Sequence, residues 1–262
     1  MIQSLKRGLQ ILEYIARDGG QATVKDTARH LGVDASTASR LMSTLESQGF
    51  LQQDPKTQVY VLGTRILELN NALLRTYRLG AHSHEVVQAL ARDTGEGSHL
   101  AVLLHGEAVF VDRAAGRGVI TVNTEIGARD PTYCTAIGRA LLSGLTDEQV
   151  RTELKEIPFK RFTAKTVTDM DDLLAKLAVV RAKGYAFDDE EANLGVQCVA
   201  APIFDHSGRT IAAVGISGSK ANIARATIPK LAKRVLSASK SLSVQLGHTR
   251  GASDNGRAAV TG

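Results

Sequence analysis

Sulfur, long apolar runs and recognisable ligand spacings are all scarce in this chain. Of its 262 residues only 2 are cysteines, Cys134 and Cys198, too far apart to form a metal-ligand pair of the kind short Cys spacings make. No local motif places a histidine beside either of them, so the arrangement of a thiol hydrolase is missing. The run of four acids at 188–191 lacks metal-ligand spacing, and neither a metal nor a cofactor is expected. No apolar stretch approaches the roughly 20 residues needed to cross a bilayer. Without a signal-peptide pattern, the expected home is a reducing cytoplasm. The charge excess is modest: +5 at neutral pH with a pI near 9.3 suits a polyanion partner without requiring one.

What is present centres on residues 23–62. Thr23 stands as an N-cap before Val24, Thr27, Ala28 and Leu31, which share one helical face, and Gly32 follows where a left-handed residue ends a helix. Asp34 is the natural N-cap of a second helix over 35–48, closed by Gly49. Ala38, Leu41, Met42 and Leu45 form its inward stripe. The outward face carries Ser36, Thr37, Ser39, Arg40 and Ser43: short hydroxyls that approach phosphates and base edges, and an arginine able to fork onto guanine. Two extended runs, FLQQ and QVYVL, flank Asp54-Pro55-Lys56-Thr57, a turn-rich tip. A hairpin after a recognition helix is a wing, and Lys56 near its tip suits a phosphate. Two helices joined by a glycine turn are common by themselves. The added wing and the hydroxyl-rich, arginine-bearing face point to DNA.

A first helix is expected over 4–17, with Ser4 as its cap and Leu5, Leu9, Leu12, Ile15 and Ala16 at helical spacing. After the wing, 63–77 reads as a helix with an apolar stripe of Ile66, Leu67, Leu69, Leu73 and Leu74. That stripe suits a dimer seam, and packing within the chain suits it as well. The expected divisions are 1–62 for the DNA-binding domain, 63–80 for a linker helix, 81–248 for a second domain and 249–262 for a disordered tail. In the second domain, strands are expected at 98–104, 108–113, 118–123, 185–188, 198–204 and 209–217, and helices at 85–93, 131–144, 169–183 and 222–245. A further helix opens on the capping box Thr146-Asp147-Glu148-Gln149. Strands joined by tight hairpins make this an α+β domain and exclude a doubly wound sheet.

Three stretches of that domain could hold a ligand. Residues 133–139 (YCTAIGR) open a helix with small side chains, leaving N–H groups accessible to a carboxylate or phosphate. Residues 188–198 (DDEEANLGVQC) form an acidic loop, and 215–219 (GISGS) end a strand among small polar groups. Each taken singly is explained as packing, a solvated loop or a turn. Together they are able to hold a small organic acid.

In order along the chain, SLKRGLQILEYIA, VDASTASRLMSTLESQGFLQQDPKTQVYVLG, YCTAIGRALL and GYAFDDEEANLGVQCVAAPIFDHSGRTIAAVGISG resemble the IclR family of transcription regulators. The resemblance implies a winged helix-turn-helix, a linker helix and an effector-binding domain with a curved, mainly antiparallel sheet of the GAF or PAS kind. It implies homodimers or dimers of dimers on palindromic double-stranded DNA, through helix 35–48. It implies an effector, mostly a small carboxylate, a sugar acid or an aromatic catabolite in this family, held by backbone at Thr135, Ala136 and Ile137 and by Asp188, Cys198 and Ser217. Some members carry serine where this chain has Gly215, and the family helix often has lysine where this chain has Arg139. An enzyme, or a sensor using its winged helix to dock a protein, is the rival reading.

Overall fold

The N-caps read from the sequence at Thr23, Asp34 and Thr146 are formed. In the computed structural model, which describes residues 2–17, 19–76, 81–117, 125–223 and 226–248, Thr23 Oγ1 accepts from the Asp26 N–H at 3.2 Å and Asp34 Oδ1 accepts from Thr37 N–H at 2.8 Å. Thr146 and Gln149 complete their capping box, and Gly32 adopts φ 63° at the end of its helix. The chain separates into two compact units, Met1–Thr76 and Tyr77–Gly262.

The first unit consists of α1 (Gln3–Arg17), β1 (Gln21–Ala22), α2 (Val24–Leu31), α3 (Ala35–Ser47), β2 (Leu51–Gln53), β3 (Tyr60–Leu62) and α4 (Arg65–Thr76). The strands pair antiparallel in the order β1-β3-β2. Ile11, Ile15, Ala22, Met42, Leu51 and Tyr60 are its core. Two expectations for α1 are corrected. The helix is already under way at Gln3, so Ser4 lies inside it and is no cap. Its buried stripe is Ile11 and Ile15, while Leu5 and Leu9 are 62% and 54% exposed and Ala16 is exposed too. In α4, Leu67 and Leu69 also face outward.

The second unit is built from α5 (Ala81–Thr94), β4 (Gly97–Leu104), β5 (Glu107–Ala114), β6 (Arg129–Pro131), α6 (Ala136–Leu142), α7 (Asp147–Glu153), α8 (Met170–Lys183), β7 (Ala186–Asp189), β8 (Val196–Phe204), β9 (Thr210–Ser219) and α9 (Ile228–Gln245). The six strands run in the order β6-β5-β4-β9-β8-β7, every pairing antiparallel. The expected strand at 118–123 and the tail at 249–262 lie outside the described residues.

Three helix starts in this unit differ from expectation, and the first is α5, which begins at Ala81 and not at 85. Residues 129–131 do not begin a helix; they pair with β5, Pro131 opposite Glu107, at the edge of the sheet where a missing N–H costs nothing. The helix begins only after Thr135 caps it, its Oγ1 accepting from Gly138 N–H at 3.1 Å. At the other end of the domain α9 starts at Ile228, with a proline in its first turn.

The period of two along each strand gives the sheet two unlike faces. Large aliphatics (Leu100, Val102, Val199, Ile203, Val214 and Ile216) face α5 and α9. The opposite face is nearly all small: Ala101, Ala108, Ala186, Ala200 and Ala213, with Phe110, meet α6. Alanines let α6 sit close on the sheet, and every residue of this helix is buried. A Cβ on Gly138 would overlap the Thr132 backbone, so the tight approach depends on glycine there.

Candidate functional site

In the first unit, α3 turns Ser36, Ser39, Arg40 and Ser43 outward and leaves Thr37 half-buried. The Arg40 guanidinium has no acidic partner among the described residues. Asp34 does more than cap: its two oxygens also take protons from Ser36 Oγ at 2.6 Å and Thr37 Oγ1 at 2.8 Å. Those hydrogen bonds hold its carboxyl far below the ordinary range. The wing is tied to the same helix, because Gln53 N–H donates to Glu46 Oε1 at 3.0 Å. At its tip, Asp54 accepts from the N–H groups of Lys56 and Thr57, and Gln58 completes the turn at φ 57°. Lys56 is exposed there. Five of the six residues read from the sequence as DNA-contacting thus lie on α3, and the sixth, Lys56, on a wing bonded to that helix.

In the second unit the register gathers the expected ligand residues on the small-residue face. Asp188 lies opposite Cys198, and Cys198 opposite Ser217. Cys198 Sγ and Ser217 Oγ are 3.1 Å apart. Thr135, Ala136 and Ile137 open α6 above this face, where Ala136 packs among the sheet alanines and the first-turn N–H groups are left over by helix geometry. The acidic loop resolves into distinct roles. Asp189 is bound by Lys165 at 3.0 Å and by Gln197. Glu190 is clamped by Lys220 at 2.6 Å and Lys165 at 2.9 Å, which hold its carboxyl down to about 2. Glu191, 4% exposed, pairs with Arg139, 1% exposed, at 2.7 Å, and with Lys176 at 3.0 Å. Arg139 also donates to the Phe187 carbonyl at 2.7 Å. Three of the four acids thus hold the fold through ion pairs, whereas Asp188 makes none among the described residues, one oxygen accepting from Glu191 N–H at 2.7 Å.

Burial drives Asp188 up to about 7 and Asp130 up to about 6. Burial and the neighbouring Asp188 charge push the Cys134 thiol to about 12 and Cys198 higher still. Neither sulfur is a thiolate at neutral pH, which removes the nucleophile a thiol hydrolase needs. Among the described residues no three His, Cys, Asp or Glu side chains gather as a metal site.

Sequence reasoning missed His99, Phe110 and Asp130. His99 lies opposite Gly215, and Asp130 opposite Ala108, on or beside the same face. The local alternation of β4 puts His99 in phase with Ala101; only the β4–β9 pairing brings it beside Gly215. The stretch at 215–219 ends a strand as expected, β9 closing at Ser219, two residues past the expected 217 and still paired with Val196 of β8.

Residues 4–55 match the family model of the IclR helix-turn-helix domain, and residues 72–244 match that of the bacterial transcriptional regulator IclR C-terminal domain. The chain belongs to the IclR family. It is 33% identical to the acetate operon repressor of Salmonella typhimurium over 251 residues, covering 95% of this chain and 92% of that one. A regulator from a Rhodococcus species superposes with a TM-score of 0.81 at 30% identity, covering 94% and 98% of the two chains. An IclR homolog from Microbacterium hydrocarbonoxydans, solved in complex with 4-hydroxybenzoate, shares the fold with a TM-score of 0.81 at 24% identity, over 93% and 99%. This IclR-family chain is accordingly a DNA-binding transcriptional regulator, in a family of non-enzymes. No described helix is long and apolar enough to cross a membrane.

Proposed function

We propose that this regulator binds a palindromic operator as a homodimer or dimer of dimers in the cytoplasm, and that a small organic carboxylate bound in the second unit sets its operator affinity. Residues 1–62 are the DNA-binding domain, 63–80 the linker helix and 81–248 the effector domain. Ser36, Thr37, Ser39, Arg40 and Ser43 read the major groove while Lys56 holds a phosphate. Thr135, Ala136, Ile137, Asp188, Cys198 and Ser217 receive the effector. The observation that carries this is the register row Asp188–Cys198–Ser217 under the capped start of α6, a polar row on a face lined mostly by alanine.

The effector acts only through different affinities for two states of the protein. A bulky side chain at Cys198 fills the proposed site and belongs to a different unit from α3. Cys198→Trp is therefore expected to abolish the effector response while operator binding stays within about twofold, small against the tenfold that 1.4 kcal/mol represents. Fluorescence anisotropy with labelled DNA from upstream of the chain's own gene measures both, against scrambled DNA, at about 0.15 M salt to suppress non-specific binding. A response that survives the tryptophan puts the effector elsewhere. Equal binding of both DNAs, and of other genomic fragments, removes the operator reading.

A further inference from the structure

Helix α3 carries one carboxylate that a DNA-facing role does not call for. From Ala35 to Ser47 its charged residues are Arg40 and Glu46. Glu46 stands three residues beyond Ser43 and seven beyond Ser39, so it continues the stripe on which those two hydroxyls lie. A free carboxylate on that stripe would be set among phosphates of its own sign. Glu46 is instead bound to the wing, its Oε1 accepting from the Gln53 N–H at 3.0 Å.

That N–H has no place in the ladder. β2 is an edge strand of the order β1-β3-β2. Asp54 sends its N–H across the hairpin to the Val59 carbonyl at 2.9 Å. Neighbouring residues of an antiparallel strand point their N–H groups to opposite sides, so that of Gln53 faces away from β3. Water would satisfy an exposed N–H equally well, so the sheet itself does not need the carboxylate. What the bond adds is a fixed angle between wing and helix. Among the described residues, the tip residues 54–58 form hydrogen bonds only within the wing. The Gln53 bond is the last one to α3 before the tip that carries Lys56.

We infer that Glu46 is a positioning residue for operator binding, holding the wing where Lys56 reaches a phosphate while Arg40 lies in the groove. The inference rests on the reading of α3 and the wing proposed above, and adds to it a residue that contacts no DNA. Fixing the wing beforehand raises affinity by removing the cost of ordering it on binding. The sign of the effect separates this role from simple electrostatics. Deleting a carboxylate beside a polyanion tightens binding through charge alone, whereas losing the tie weakens it.

The test is fluorescence anisotropy with labelled DNA from upstream of the chain's own gene, repeated over a range of salt concentrations. The proteins are the wild type, Glu46→Ala, Glu46→Gln, Lys56→Ala and the Glu46→Ala/Lys56→Ala double variant. Both Glu46 variants lose the same charge, and only glutamine keeps an oxygen for the Gln53 N–H. Glu46→Ala is expected to bind about tenfold more weakly, the scale of one hydrogen bond to a charged group. Glu46→Gln should bind at least as tightly as the wild type. Lys56→Ala should make the slope of log affinity against log salt shallower by about 0.9, the share of one phosphate. Glu46→Ala should approach that slope, and the double variant should bind no more weakly than the weaker single one. Glu46→Ala binding as tightly as the wild type would overturn the inference, as would Glu46→Gln binding as weakly as Glu46→Ala. A loss that leaves the slope unchanged and adds in full to that of Lys56→Ala would also overturn it, since a general loosening of the fold does this. Thermal melts show whether each variant folds, and Glu46→Met, which keeps the length of the side chain without its oxygens, replaces an alanine variant that does not. A slope that falls in Lys56→Ala but not in Glu46→Ala removes this inference alone. An unchanged slope in Lys56→Ala removes the wing contact and the inference with it. If neither this fragment nor other genomic fragments bind better than scrambled DNA, the operator reading and the inference fall together.

Discussion

A hydroxyl has one proton to give, and in α3 Ser36 and Thr37 give theirs to Asp34. Towards DNA they therefore offer lone pairs, which match the amino groups of cytosine and adenine and not phosphate oxygens. Arg40 is then the main donor of the helix. Arg40→Ala is expected to weaken operator binding by about 1–3 kcal/mol if its contact is bidentate to guanine, with scrambled-DNA binding changed far less; paired anisotropy titrations measure both, and equal losses on the two DNAs would make Arg40 a phosphate contact. Asp130 makes a prediction of known sign. Its carboxyl titrates at about 6 in the folded chain, above the ~3.9 of an unfolded one. Protonation therefore favours the folded state, fully below about 4, and the contribution is lost as pH rises through about 6. Asp130→Asn cannot titrate, so the melting temperature of the wild type should fall relative to the variant, by a few degrees at most, between pH 5 and 7.5. His99 has the opposite sign, its folded value of about 4 lying below the ordinary ~6.5, but it is common to both proteins and cancels. At this scale the sequence was readable where a residue's task is local, as with Asp34. His99 and Asp130 were not readable, because their neighbours are supplied by strands distant in the chain.

Elements were legible where caps and periodicity act over a few residues. Thr23, Asp34 and Thr146 start helices because each satisfies an N–H three residues on, which requires nothing from the rest of the fold. The first helix was misread for a physical reason. Leu5 and Leu9 recur at helical spacing with Ile15, and only packing against α2, α3 and the small sheet selects Ile11 and Ile15 for the core. The start of α6 was placed too early because small residues and a proline suit a first turn and an edge strand equally; pairing with β5 takes residues 129–131. That helix is also where a single methyl is expected to do the most. Gly138→Ala would drive a Cβ into the Thr132 backbone and should cost about 1–3 kcal/mol, as overpacking does. The accompanying shift of Ala136 and Ile137 should weaken effector binding. Thermal melts and calorimetry on the same sample measure the two effects, and an unchanged melt would mean that Thr132 yields without strain.

For the molecule as a whole, the proposed communication between DNA and effector is a single coupling free energy. Whatever factor the effector applies to operator affinity, the operator must apply to effector affinity. Titrating effector into free protein and into the operator complex should return ratios that agree within error with those from anisotropy; disagreement would show that a change of assembly state intervenes. Strand order was the least legible property, since the central pairing joins β4 to β9 across more than a hundred residues. The same pairing has a consequence for the order of synthesis. The core of the first unit closes within residues 11–62, whereas the floor of the proposed effector site lacks its central strand until residue 219 has been made. A ribosome delivers the DNA-binding unit first, so on the proposed reading a chain cut short by a premature stop before β9 keeps the operator-contacting residues and loses Ser217 together with the strand that carries it.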